Sequence, residues 1–110
     1  MNGNPFERLP QRVSIDQIQR LTRTKRETWL SLLEIAIITP EEKQRATDTI
    51  NDFSRRVMAC NDLVSIDDEV AHFKAEIYRL STPLVRGEVR ALVGQISNDA
   101  NELRPLHLQK

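Results

Sequence analysis

Apolar residues recur along the chain at helical spacing, and capping signals separate one run from the next. Residues 1–13 carry Pro5, Pro10 and the turn formers Asn2, Gly3 and Asn4, which predicts an extended arm with apolar contacts at Phe6, Leu9 and Val13. Ser14 opens the first helix: its hydroxyl can accept from the N–H of Gln17 while the Gln17 side chain reaches back. Ile15, Ile18 and Leu21 begin an apolar stripe that lapses over residues 22–28. Thr24 and Glu27 repeat the capping pair inside that polar stretch, so the pattern accommodates one helix over 14–38 or a break at Thr24. From Trp29 to Ile38 only Ser31 and Glu34 are polar, which predicts a segment buried on most sides.

Thr39-Pro40-Glu41-Glu42 marks the sharpest boundary. Thr39 caps, Pro40 takes the first helical position where its missing N–H costs nothing, and Glu42 completes the box. The helix that follows has a seam of Ala46, Ile50, Phe53, Val57 and Cys60, with Arg45, Asp48, Asn51, Asp52 and Arg55 opposite. Asn61-Asp62 ends it, and Ser65 with Asp67, Asp68 and Glu69 behind it reads as the next start. The next seam is Ile66, Val70, Phe73, Ile77 and Leu80. Thr82-Pro83 repeats the corner, and a wide stripe of Val85, Val89, Leu92, Val93, Ile96, Ala100 and Leu103 runs on to Pro105. Alternation of period two is absent from the sequence, so no strand is expected. The expected architecture is all-α, a compact bundle of four to five amphipathic helices with short Thr-Pro corners and an extended N-terminal arm. It divides into the arm 1–13, a single helical domain 14–104 and a short tail 105–110.

Composition narrows the function classes. Leu, Ile, Val and Phe make up 31 of the 110 residues, above the roughly 20% below which chains tend to stay disordered. The run Trp29–Ile38 is half the length of a membrane span, and the N-terminus, with Glu7, Arg8 and Arg12 among prolines, lacks the apolar centre of a secretory signal. A single cysteine excludes an internal disulfide framework and fits a reducing compartment, so the expected location is cytoplasmic, without a membrane partner.

Catalytic motifs are missing. Three glycines are too sparse for a phosphate loop, and Cys60, His72 and His107 are the whole stock of Cys and His for a zinc site. Glu69-x-x-His72 has the spacing of a helical metal pair, with Glu76 one turn on, but its second copy is absent from the sequence. Its ordinary reading is a surface histidine between acids. Cys60, on a seam, reads as a small core residue. The expectation is a protein that is not an enzyme, with no cofactor and no metal.

Charge adds a partner argument. Sixteen Lys and Arg balance sixteen Asp and Glu, yet residues 1–26 hold six cations against Glu7 and Asp16, a net of +4 offset by −4 in the remainder. Arg20, Arg23, Lys25 and Arg26 fall in two turns without apolar residues. Guanidinium forks in that density suit phosphate or carboxylate, whether on a nucleic acid or on the Asp67-Asp68-Glu69 patch of a second copy. Overall neutrality and the lack of interleaved aromatics disfavour nucleic acid. The favoured expectation is a helical protein–protein interaction module, an adaptor, chaperone-like or inhibitor protein that self-associates and occludes or bridges a partner surface. Phe6, Leu9, Trp29, Leu33 and Ile37 are its expected interface, and a small nucleic-acid-binding or regulatory protein using residues 20–26 is the alternative.

Overall fold

The Ser14 hydroxyl accepts from Gln17 N–H at 3.1 Å and the Gln17 side chain accepts from Ser14 N–H at 2.8 Å, so the predicted capping box opens the first helix. The computed structural model describes residues 14–80 and 87–105, with the backbone alone at 87 and 88. Phe6, Leu9, Val13, the Thr82-Pro83 corner, Val85 and residues 106–110 lie outside the described residues. The helices are α1 (Ile15–Ile35), α2 (Pro40–Met58), α3 (Leu63–Arg79) and α4 (Gly87–Ala100), followed by a 3-10 turn, Asn101–Leu103. The fold is all-α, four helices packed into a compact globule, with no strand among the described residues.

Helix α1 does not break at Thr24. Thr22 Oγ1 donates to the Ile18 carbonyl at 2.7 Å and Thr24 Oγ1 to Arg20 at 3.4 Å. Both hydroxyls therefore bond back along the helix instead of capping a new one. Thr22 is also fully buried, so the polar stretch packs against the bundle rather than leaving it.

Thr39 and Glu42 form the second box, at 3.0 and 2.8 Å, with Pro40 behind the cap. Replacing Thr39 with alanine orphans the Glu42 N–H and is expected to cost about 1 kcal/mol. A urea midpoint that falls with unchanged slope would register it; an unchanged midpoint would show that the cap contributes nothing. The next start differs from the expectation. Asp62, not Ser65, is the cap of α3: its carboxylate accepts from Ser65 N–H at 2.7 Å and from the Ser65 hydroxyl at 3.1 Å. The carboxylate offers a separate oxygen to each of the two donors.

The seams meet as the periodicity predicts. Ala46, Ile50, Phe53 and Val57 of α2 and Ile66, Val70, Phe73 and Ile77 of α3 are buried in one cluster with Val89, Val93, Ile96 and Ala100 of α4. At its centre three rings form a triangle, with Phe73 4.3 Å from Phe53 and 5.3 Å from Trp29 between centroids and Phe53 6.3 Å from Trp29. Gln19 Nε2 of α1 donates to the carbonyls of Val57, Met58 and Cys60 at 3.1–3.4 Å, satisfying the open end of α2 from a neighbouring helix.

Candidate interaction surface

The apolar run at the end of α1 divides between the core and the surface. Trp29 and Leu33 are 0% and 1% exposed, whereas Ile35 and Ile37 are 79% and 73% exposed. Trp29 and Leu33, expected at an interface, are instead spent on the chain's own core. Helix geometry explains the division: at 100° per residue, Leu33 follows Trp29 on the inner face and Ile35 stands on the outer one. Pro40 then requires an extended predecessor, and the backbone leaves the helix at Ala36, with φ −78° and ψ 150°. Ile37 consequently projects from the corner. Ile35 escaped the sequence reading, although continuing the Trp29–Leu33 spacing past Leu33 would have excluded it from the core.

Beside the corner, Lys43 Nζ pairs with Glu34 at 2.8 Å, and Glu41 and Glu42 add acidic charge in the first turn of α2. A groove of about 120 Å³ lies at α1's far end, with Ile38, Leu80, Val89 and Val93 as its apolar wall and Glu42 and Arg45 at its edge.

The basic segment does not present a single cationic strip. Arg20 pairs with Asp16, Lys25 with Glu102 at 3.0 Å, and Arg26 Nε donates to Asn51 Oδ1 at 2.8 Å. Arg23 is exposed and makes no ion pair among the described residues. Its former complement changes too: Asp67 is buried and bound by Arg104, whose Nε and Nη2 donate to the two carboxylate oxygens at 3.1 and 2.7 Å. Asp67 is therefore not part of an exposed acidic patch. These hydrogen bonds, more than Coulombic attraction, push the already high Arg104 pKa further up.

A cleft of about 160 Å³ between α2 and α3 has Phe53 and Phe73 at its base and Asp52, Arg56, Glu69, His72 and Glu76 around it. The carboxylates are matched from within: Asp52 pairs with Arg55, Arg56 lies 3.9 Å from Glu69, and Arg79 lies 2.9 Å from Glu76. His72 Nε2 is 3.8 Å from Glu76, on an exposed side chain. Among the described residues no group of three or more His, Cys, Asp or Glu is placed to hold a metal ion. Cys60 is half-buried rather than buried, and its thiol donates to the Arg56 carbonyl at 3.3 Å. Burial, with Glu69 and Asp62 nearby, pushes that thiol's pKa up, away from the range of a reactive thiolate. No helix among the described residues is long and apolar enough to cross a membrane.

Compared with protein-family models, with curated proteins and with solved structures, the chain matches none.

Proposed function

We propose that the protein is a non-enzymatic helical interaction module that pairs with a second copy of itself through the α1–α2 corner and acts by occluding or bridging a partner surface. The observation that supports this reading is the pair Ile35 and Ile37, each about three-quarters exposed at the α1–α2 corner. A contact about a two-fold axis sets the same patch of both copies face to face, so the two exposed isoleucines of one copy cover those of the other.

Magnitudes set the expected strength. Full burial of an isoleucine side chain is worth roughly 1.5–3 kcal/mol, so the four in a symmetric contact supply roughly 5–9 kcal/mol at this exposure. Lost translational and rotational freedom costs roughly 4–15 kcal/mol, which places the self-contact in the weak, concentration-dependent class.

The test is light scattering after gel filtration over a concentration series. The wild-type mass is expected to rise with concentration toward that of a dimer. The variant Ile35→Asp/Ile37→Asp is expected to stay monomeric with unchanged circular dichroism, because neither side chain belongs to the core. A wild-type protein that stays monomeric throughout, or a double variant that dimerises as well as the parent, would overturn the proposal.

A further inference from the structure

Residues 101–105 fasten together two helices that do not pack side by side. Helix α1 packs on α2, α2 on α3 and α3 on α4, while α1 and α4 close the ring over a shorter stretch. The turn Asn101–Leu103 follows α4 directly and touches both α1 and α3. Its polar residues divide between them. Lys74 Nζ of α3 donates to Asn101 Oδ1 at 2.5 Å, Lys25 Nζ of α1 pairs with Glu102 at 3.0 Å, and Arg104 holds Asp67 of α3 through both carboxylate oxygens. Leu103 and Pro105 are buried between these anchors, and the Arg104 N–H bonds the Asn101 carbonyl at 3.2 Å to close the turn. On the closing seam itself Trp29 Nε1 donates to Asp99 Oδ2 at 3.2 Å.

We propose that residues 101–105 are a clasp whose release lets the α1/α4 seam open as a unit, ahead of the rest of the bundle, exposing the indole N–H edge of Trp29 that faces Asp99. The two sides of the fold are held differently. Helices α2 and α3 are joined by continuous apolar seams and the Phe53–Phe73 stack, which have no substitute in water. The α1/α4 side shares the same apolar cluster through Trp29, Leu33, Val93 and Ile96, but these two helices meet over a shorter stretch, supplemented by pairs such as Lys25–Glu102, in which Glu102 is 63% exposed and water can replace the partner. Proteins open first where apolar contacts are few. Arg104 is the controlling anchor, because its partner carboxylate is only 9% exposed and separating such a pair is costly. The clasp is independent of the proposed self-contact: Ile35 and Ile37 are not among its anchors.

Native-state hydrogen exchange on the full chain tests it, with acrylamide quenching of Trp29, the sole tryptophan, as a second readout. In Arg104→Gln, amides of residues 97–104 are expected to exchange about tenfold faster, while those around Phe53 and Phe73 keep the parent rate. Trp29 quenching should rise in step, with helical circular dichroism unchanged. Should Arg104→Gln fail to fold, Lys25→Gln decides by the same regional comparison, with a smaller acceleration of about two- to threefold. Acceleration spread evenly over all four helices would overturn the clasp, as would no acceleration at residues 97–104 or unchanged quenching.

Discussion

Replacing Phe73 with alanine is expected to lower stability by about 3–5 kcal/mol. Phe73 is 2% exposed and contacts both other rings of the central triangle, with interplanar angles of 18° to Phe53 and 20° to Trp29. Truncation removes the buried ring, leaves a cavity between α1, α2 and α3, and dissolves two aromatic contacts, each worth about 0.5–1.5 kcal/mol beyond area. A domain of this size has about 5–15 kcal/mol in all, so a large share of its stability is at stake. Urea unfolding followed by circular dichroism and by Trp29 fluorescence measures the loss, and the two transitions should coincide if unfolding is all-or-none. A midpoint equal to the parent's would remove the aromatic stack from the centre of the fold.

A matched pair of substitutions should give opposite results. Ile77 is 0% exposed on α3, and Ile37 is 73% exposed at the α1–α2 corner. Aspartate at Ile77 places an ionised carboxylate among Ile, Val and Phe side chains, which costs several kcal/mol or forces the group to neutralise. Ile77→Asp is expected to be unfolded at neutral pH, with the helical signal lost. Ile37→Asp carries the same change of residue into water and is expected to melt within a few degrees of the parent, since surface substitutions usually shift stability by about 0.5 kcal/mol or less. Thermal melts of the two variants side by side decide the matter. If both unfold, the corner is packed more tightly than its exposure indicates; if neither does, the α3 seam is not the core.

Local chemistry made the helices legible in advance. Ser14 with Gln17, and Thr39 with Pro40 and Glu42, are capping devices complete within four residues, so no distant contact is needed to read them. The seams of α2 and α3 were equally readable, because a 4, 3, 4 spacing places its members on one helical face whatever that face meets. The start of α3 was misplaced by three residues, since Asp62 and Ser65 are both good caps and local sequence does not rank them.

The candidate surface was legible only in part. The spread of apolar residues over 29–38 predicts a segment buried on most sides, but within the run only Trp29 and Leu33 are buried, and Ile35 and Ile37 stand outside. The basic segment read as one patch because its charges are adjacent in sequence. Its partners come from Asp16, Asn51 and Glu102, on three different elements.

What the amino-acid order determined by itself is therefore the number of helix faces, most of their boundaries and the identity of the seams, all set by interactions within one or two turns. Tertiary structure alone decided that Asp67 is buried against Arg104 and that the C-terminal turn ties α1 to α3. Each of those outcomes joins residues tens of positions apart, and burial and ion pairing at such range depend on where the helices come to rest, which no local pattern encodes.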